Sequence, residues 1–288
     1  MKLPLSEKIR QLATKLNKPI YVVGGYVRNF LIDKSLSSDV DVCAPIRVDE
    51  LLPLLNEMGF SVFSEYKRTG TVVFSDGERK YEFTSFRKEE YENGGLHTPS
   101  KTAFTDNIVL DALRRDFKCN AIYYDIKNDK FVDPLNGIED IKNKRLSTVK
   151  DAKEVFCHDG LRLLRLARFC AELNFKPDKE TIEGAFLYGK NVKDISAERI
   201  LDELKKILAS DKKYPFSDKY GHYTALKILD DTRVLDCIIP ELTMGRGMKQ
   251  RADFHDYDVL EHTLRAVKYA DTSIRLSALF HDVGKPFA

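Results

Sequence analysis

A glycine turn followed by two alternating aspartates constrains this chain more than any other feature of its sequence. Tyr21–Val23 is a short apolar run that predicts a strand, and Gly24 and Gly25 let the backbone turn and approach a ligand closely. Val27–Ile32 predicts the start of a helix, whose N-terminal N–H groups and Arg28 can hold phosphate. The pattern therefore predicts a strand, a phosphate-binding turn and a helix.

Asp39 and Asp41 follow at once on the next predicted strand. Residues two apart on a strand face the same way, so the two carboxylates are expected to point together. Taken alone, the glycines could form a plain turn and the aspartates a solvated strand edge. Together they provide hard oxygen ligands beside a phosphate site, as Mg²⁺-dependent nucleotidyl transfer requires.

The composition is that of a soluble globular protein of about two domains. The chain has 288 residues, 43% hydrophobic and 32% charged, with a mean hydropathy of −0.36 and a net charge of +2. Its five cysteines are widely spaced without a C-x-x-C pair, which argues for reduced thiols in a cytoplasm. We see no signal peptide and no apolar run of membrane-spanning length, and we expect no membrane partner and no obligate protein partner.

The periodicity of apolar residues predicts an α/β head, a mixed sheet with flanking helices, followed by an all-helical neck and body. We place the head at residues 1–145, the neck at 146–215 and the body at 216–288. Strands are predicted at Ile20–Val23, Val40–Ala44, Ser61–Phe63, Thr71–Phe74, Tyr81–Phe86 and Ala121–Tyr124. Helices are predicted at Ser6–Leu16, Val27–Leu31, Asp49–Met58, Asp159–Leu173, Lys179–Tyr188, Ala197–Leu208 and Tyr223–Leu229. The polar segment Lys88–Asn107 is expected to be a mobile loop beside the site.

A second polar cluster lies at a predicted helix-to-strand junction. Arg114 and Arg115 can neutralise a triphosphate, and Asn120 suits a ribose hydroxyl or a phosphate oxygen. A capped helix end with solvated arginines is the simpler alternative for this cluster on its own.

With these motifs the chain resembles the class II tRNA nucleotidyltransferases, the family of CCA-adding enzymes and bacterial poly(A) polymerases. The first family motif, Gly-Gly-x-Val-Arg-Asp and then Asp-x-Asp, stands here as Gly24–Asn29 and Asp39–Asp41. The second, Arg-Arg-Asp-Phe-Thr-x-Asn-Ala, stands here as Arg114–Ala121. The resemblance continues through Asp133–Gly137 and the neck and covers nearly the whole chain.

The resemblance implies a polymerase-β-like head that adds nucleotides from CTP and ATP to the 3′ end of tRNA without a template. Asp39 and Asp41 would be catalytic and hold two Mg²⁺ ions. Glu82 is a candidate third catalytic carboxylate, or else a solvated strand residue. The residues expected to bind the nucleotide in the head are Gly24, Gly25, Arg28, Arg114, Asp116 and Asn120. The helical body would grip the tRNA acceptor stem through its backbone and shape.

The third family motif, Glu-Asp-x-x-Arg, stands here as His158-Asp159-Gly-Leu-Arg162. We expect Asp159 and Arg162 to share a helix face, and an acceptor beside a donor complements the Watson–Crick edges of cytosine and adenine. A surface ion pair would explain the spacing equally well. Arg165 and Arg168 extend this row of nucleotide-binding arginines, and Arg199 and Glu203 match a neck motif that supports the base-reading helix in the family.

Some positions depart from the family pattern. Asn29 replaces the usual Asp, Lys118 and Cys119 replace the Thr-x pair, and His158 replaces Glu. These changes leave the predicted metal ligands and the base-reading pair intact. The sequence does not separate complete CCA addition from CC addition, addition of the terminal A, or poly(A) synthesis.

The C-terminal residues resemble the start of an HD phosphohydrolase domain, with His255, His262, His281 and Asp282 as candidate ligands. The later Asp of that domain is missing, since the sequence ends six residues after Asp282. We therefore expect a truncated form of a longer protein and no working metal site here. A non-catalytic RNA-binding or phosphohydrolase module is the alternative from a different functional class.

Overall fold

A computed structural model describes residues 2–34, 39–91, 99–250 and 256–288 of the chain. The chain divides into two compact units. The head unit comprises Met1–Tyr91, Pro99–Asn143 and Ser147–Lys150, and the helical unit contains Lys144–Leu146 and Asp151–Ala288. The further division of the helical part into neck and body at residue 215 stays a prediction.

The head unit is a seven-stranded mixed sheet with flanking helices, which confirms the predicted fold class. The strand order is β3-β4-β5-β2-β1-β8-β9; β2 and β5 are parallel and the other neighbours antiparallel. The elements are α1 (Glu7–Lys15), β1 (Tyr21–Val23), α2 (Gly25–Asp33), β2 (Val40–Ala44), α3 (Val48–Glu57), β3 (Ser61–Tyr66), β4 (Thr71–Ser75), β5 (Lys80–Ser85), β6 (Arg87–Glu90), β7 (Lys101–Phe104), α4 (Ile108–Leu113), β8 (Tyr123–Asp125), β9 (Lys130–Val132) and α5 (Gly137–Lys142).

The core of the head forms because apolar residues recur at strand spacing in the sheet and at helix spacing in the helices that pack against it. In β2 the pattern alternates at the start, with Val40 and Val42 buried and Asp41 exposed. In α1 the buried residues Ile9, Leu12 and Ala13 are three and four apart. The sheet is thus buried where it meets helices, and its polar side chains point away from the core.

The prediction that Lys88–Asn107 is a loop is wrong at both of its ends. β6 and β7 pair antiparallel, with Lys88 opposite Ala103 and Glu90 opposite Lys101. All four residues of β6 are charged, and β7 is short and follows a polar segment, so the pair lacks the apolar alternation that marks a strand in the sequence. Residues 92–98 between them lie outside the described residues.

The helical unit consists of helices and one short parallel bridge. Its elements are β10 (Arg145–Leu146), α6 (Ala152–His158), α7 (Leu161–Leu173), β11 (Lys176–Pro177), α8 (Lys179–Tyr188), α9 (Ala197–Leu208), α10 (Gly221–Asp231), α11 (Leu235–Ile238), α12 (Pro240–Thr243), α13 (Val259–Tyr269) and α14 (Arg275–Phe280). Helix α7 is buried along most of its length and packs against α9 and α10.

The prediction that a helix starts at Asp159 is also wrong. Asp159 ends α6 with an extended backbone, φ −151° and ψ 101°, and α7 begins at Leu161. A β-carbon at Gly160 would stand 2.2 Å from the backbone oxygen of Asn191. The residue after the break, Gly160, therefore packs against a neighbouring backbone with no room for a side chain.

Among the described residues, no helix is long and apolar enough to cross a membrane.

Candidate active site

The glycine turn packs directly against one of the two predicted metal ligands. Gly24 caps α2 with φ +77°, a conformation that residues with a β-carbon rarely adopt. Strand β1 pairs with β2 so that Val23 lies opposite Asp41, which brings the next residue, Gly24, to that carboxylate. A β-carbon at Gly24 would stand only 3.0 Å from Asp41 Oδ2. Gly24 thus brings the backbone at the start of α2 close to the Asp41 carboxylate.

The parallel pairing of β2 and β5 brings a further carboxylate, that of Glu82, to the strand position next to Asp41. Asp41 lies directly opposite Glu82, and adjacent strands are about 4.8 Å apart. Asp41 and Glu82 are both exposed while their neighbours along each strand are buried. Asp39, also exposed, lies two residues before Asp41 and therefore on the same face. These side chains offer the oxygen ligands that Mg²⁺ prefers.

Arg28 is buried and its guanidinium is held by amide oxygens. Its Nη1 donates to Asn120 Oδ1 at 2.6 Å, and its Nε and Nη2 donate to Asn29 Oδ1 at 3.1 and 2.9 Å. Asn120 Nδ2 in turn donates to Asp116 Oδ1 at 3.0 Å, which also accepts from the Phe117 backbone N–H at 2.8 Å. The first and second sequence motifs, 92 residues apart, therefore form one hydrogen-bonded cluster.

The departure from the family pattern at position 29 leaves a polar group without a partner. Asn29 is fully buried, and its Nδ2 has no hydrogen-bond partner among the described residues.

Nearby, burial raises the pKa of the Cys119 thiol to about 12, although Arg28 acts in the opposite direction. Cys119 is therefore a neutral packing residue at neutral pH.

Asp111 organises the two arginines of the second motif, a role that the sequence analysis missed. Its carboxylate is fully buried and accepts from Arg114 Nε at 2.7 Å, from Arg115 Nη2 at 3.2 Å and from Tyr123 Oη at 2.8 Å. Burial acts to raise the pKa of Asp111, but Arg115 and Arg114 hold it below its usual value. The i,i+3 and i,i+4 spacing from Asp111 to the arginines was the available signal in the sequence.

In the helical unit, Asp159 and Arg162 form a buried pair at the break between α6 and α7. Their exposed fractions are 4% and 6%. Arg162 Nε lies 3.5 Å from Asp159 Oδ2, while Asp159 Oδ1 accepts from the Leu161 backbone N–H at 3.0 Å. The two residues thus meet through a turn and not through one helix face. Charged side chains are rarely buried in proteins, and an ordinary surface ion pair stays exposed to water. The burial of Asp159 and Arg162 therefore favours a specific role for this pair.

Arg165 and Arg168 follow on α7 and contact the ring of Phe169, at 5.1 and 4.3 Å from its centroid. Arg168 Nε also donates to Glu203 on α9 at 2.7 Å, and its Nη1 reaches Glu172 at 3.2 Å. Glu203 therefore supports α7, as the neck motif predicted, but through Arg168 and together with Lys206. A nucleotide-binding role for Arg165 and Arg168 stays a prediction.

The C-terminal helices bring together a separate cluster of ligand-type side chains. One ligand atom from each of His262, His281 and Asp282 lies within 4.8 Å of the others. Asp282 Oδ2 is 3.1 Å from His281 Nε2 and 2.7 Å from Lys285 Nζ. The lysine ammonium therefore already pairs with this carboxylate. His255 lies outside the described residues.

Comparison with known families matches both units of the chain. The family model of the poly A polymerase head domain matches residues 20–147. A second model, described as a probable RNA and SrmB- binding site of polymerase A, matches residues 174–244. The two models together cover more than half of the chain.

Individual relatives are CCA-adding enzymes. The chain is 34% identical over 242 residues to the CCA-adding enzyme of Geobacillus sp. (strain WCH70), which covers 84% of this chain and 55% of that protein. It is 35% identical over 255 residues to the CCA-adding enzyme of Bacillus pumilus (strain SAFR-032), a match that covers 86% of this chain and 58% of that protein. The chain thus spans about half the length of the curated relatives that it matches.

Solved structures share the polymerase-β-like fold. The Bacillus stearothermophilus CCA-adding enzyme in complex with CTP matches with a TM-score of 0.75 at 24% identity, over 98% of this chain and 65% of that one. A tRNA nucleotidyltransferase complexed with a primer tRNA and an incoming ATP analogue matches with a TM-score of 0.66 at 25% identity, over 94% and 75%.

Proposed function

The chain belongs to the class II tRNA nucleotidyltransferase and poly(A) polymerase family, and on that basis we propose that it adds C and A nucleotides to the 3′ end of tRNA. CTP and ATP are the proposed substrates, pyrophosphate is the second product, and the cytoplasm is the proposed location. The tRNA 3′ end and acceptor stem are the proposed partners. The observation that carries this proposal is the close approach of Gly24 to Asp41, which joins a phosphate-binding turn to a metal-binding carboxylate.

Asp39 and Asp41 would hold two Mg²⁺ ions, with Glu82 beside them. The exposed carboxylates of Asp39, just before β2, and of Asp41 on β2 fit this role, because Mg²⁺ takes oxygen ligands and keeps room for substrate oxygens. Bound there, the ions would activate the terminal 3′-hydroxyl for attack on the α-phosphate and stabilise the departing pyrophosphate.

The protein groups around this position bind and orient the nucleotide. The N-terminal N–H groups of α2 would stabilise the negative charge that develops on the phosphates during transfer. Because the helix already holds these groups in place, they need not reorient as the charge develops. The cluster of Arg28, Asn120 and Asp116 holds a cation in a fixed position, and Arg114 adds a second. We assign the triphosphate to these residues.

Asp159 and Arg162 would select the base. Cytosine and adenine each present an amino donor beside a ring-nitrogen acceptor, which a carboxylate and a guanidinium can satisfy together. Guanine and uracil present the opposite order, so their donors would face the guanidinium and their acceptors the carboxylate, a costly mismatch at a buried pair. This chemistry supports C and A addition without a template.

The test is incorporation of labelled CTP and ATP, separately and together, into tRNA transcripts ending before CCA, after C and after CC. With Mg²⁺ present, we expect C and A addition by the wild type and none by Asp39→Asn or Asp41→Asn. Glu65→Gln, which removes an exposed strand carboxylate on β3, is the matched control and should retain activity. Activity in the Asp39→Asn variant equal to that of the wild type would contradict the proposed metal site.

The other members of the same family give different outcomes in this assay. Addition of C alone or of A alone would identify a partial enzyme, and ATP incorporation into any RNA 3′ end would identify a poly(A) polymerase. A phosphohydrolase based on His262, His281 and Asp282 would release phosphate even when Asp39 and Asp41 are replaced. The presence of both aspartates favours the transferase.

A further inference from the structure

Glu89 on β6 lies at the centre of an ion-pair network between the β6–β7 hairpin and the end of α4. Its side chain is 6% exposed. Its Oε1 accepts from Arg87 Nε at 2.7 Å and lies 3.7 Å from Arg114 Nη1, while its Oε2 accepts from Tyr91 Oη at 2.7 Å. The hairpin thus contributes a nearly buried carboxylate to an arginine of the second sequence motif.

Arg114 is placed by two carboxylates from different elements. Asp111, one helical turn earlier on α4, binds its Nε at 2.7 Å, and Glu89 lies near its Nη1. The Arg114 side chain is only 13% exposed, so most of its surroundings are protein groups and its orientation depends on them. Asp111 is itself fixed by Arg115 and Tyr123, whereas Glu89 belongs to a two-stranded hairpin outside the main sheet.

Glu89 carries its negative charge at neutral pH. Burial acts to raise the pKa of its carboxyl group, but Arg114 and Arg87, with the Tyr91 hydroxyl, hold it below its usual value. The carboxylate therefore separates two guanidinium groups and neutralises part of their mutual repulsion. Without its charge, Arg87 and Arg114 would lose the carboxylate that lies near both of them.

We propose that Glu89 is a positioning residue that holds Arg114 in the orientation in which it binds the nucleotide triphosphate. This inference rests on the proposed function, in which Arg114 contacts the triphosphate. The role follows from geometry: Asp111 accepts a hydrogen bond from Nε at 2.7 Å, and the Glu89 carboxylate lies 3.7 Å from Nη1 and attracts that side of the guanidinium. Glu89 acts through Arg114 and contacts no reacting atom itself.

Glu89→Gln removes the charge and keeps the size of the side chain. Repulsion between Arg87 and Arg114 then displaces Arg114, and we expect the KM for both CTP and ATP to rise roughly tenfold while kcat changes less than about twofold. Equilibrium binding of ATP should weaken by a similar factor. The matched control is Glu90→Gln, because Glu90 is the next residue on the same strand, is 53% exposed and pairs only with Lys88 in the network described here. Its KM should equal that of the wild type.

A double-mutant cycle with Arg114→Lys separates positioning from a general effect on the fold. Lysine keeps one charge but cannot bridge Asp111 and Glu89, so Glu89→Gln should change the KM by less than about twofold in this background. Glu89→Asp, which keeps the charge, should restore most of the affinity and serves if the Gln variant folds poorly. Thermal melting of each variant reports stability.

The proposal is overturned if Glu89→Gln leaves the nucleotide KM at the wild-type value, or if it raises the KM equally with Arg and with Lys at position 114. It is also overturned if the only change is a lower melting temperature. Failure of the wild type to bind or incorporate any nucleotide would instead contradict the proposed function, and the two failures are therefore distinguishable.

Discussion

Gly24 and Asp41 are in such close contact that a β-carbon on the glycine would stand 3.0 Å from the carboxylate oxygen Oδ2. A methyl group there must either push Asp41 away or move the start of α2. Gly24→Ala should therefore lower the rate of nucleotide transfer about a hundredfold, because small displacements of reacting groups are costly. Its positive φ should also lower the free energy of unfolding by roughly 1–2 kcal/mol.

Gly77→Ala is the matched control for this prediction. Gly77 also has a positive φ, +96°, but a β-carbon there would meet nothing within 4 Å. This variant should lose stability in chemical denaturation and keep the wild-type rate of transfer. Equal rate losses in both variants would show that backbone strain, and not the contact with Asp41, causes the effect.

Asn29→Asp should stabilise the head unit. The substitution replaces with an oxygen a fully buried Nδ2 that lacks a partner in the described part of the chain, and it gives the Arg28 guanidinium a charged acceptor. We expect a gain of about 1 kcal/mol in the free energy of unfolding, measured by urea denaturation, with transfer activity retained. Asn29→Ala, which removes the acceptor of Arg28, should instead destabilise the protein. A lower stability for the Asp variant would show that the cluster cannot accept another carboxylate.

Replacement of the buried pair in the helical unit should relax the choice of base. Arg162→Ala removes the donor and leaves Asp159 buried without its guanidinium, so kcat/KM for CTP and ATP should fall about a hundredfold. The kcat/KM for UTP and GTP should fall much less. The quantity to measure is therefore the ratio of the kcat/KM values of the four nucleotides in single-nucleotide incorporation. Lys179→Ala on the exposed surface of α8 is the control and should leave the ratio unchanged. An equal loss for all four nucleotides would assign the pair a structural role only.

His222 should make the protein less stable as the pH falls below neutrality. Its ring is fully buried; Nε2 donates to the Lys268 carbonyl at 3.1 Å, and Nδ1 has no hydrogen-bond partner among the described residues. Burial, together with Arg275, lowers the pKa of His222 below 6.5, although Asp211 and the backbone oppose this shift. The folded protein thus keeps the ring neutral where the unfolded chain protonates it.

The sign of the effect follows from this difference. Above about pH 6.5 the ring is neutral in both the folded and the unfolded state, so His222 does not lower the free energy of unfolding. Below that pH the unfolded chain binds a proton before the folded protein does, and the free energy of unfolding falls by up to about 1.4 kcal/mol per pH unit. Denaturation between pH 7.5 and about 5 measures this slope. His222→Gln should reduce it, and an unchanged slope in that variant would place the titrating group elsewhere.

The sequence alone determined the local segments of the candidate site, because backbone preferences and strand alternation depend only on residues close together in the chain. Gly24 can adopt a positive φ where other residues resist it, and alternation along a strand places Asp39 and Asp41 on one face. Apolar spacing likewise predicted most of the strands and helices around them. The same local rules failed where charge dominates the pattern, as in the β6–β7 hairpin.

Only the tertiary structure decided which pieces meet. The parallel pairing of β2 with β5 selects Glu82 as the neighbour of Asp41, and the fold brings Asn120 to Arg28 across 92 residues. The extended backbone of Asp159 interrupts the helix that periodicity predicted, so Asp159 and Arg162 meet in a turn, and Gly160 packs against the backbone of Asn191. These contacts depend on sheet register and close packing between segments distant in the chain, and such interactions leave no periodic trace in the sequence.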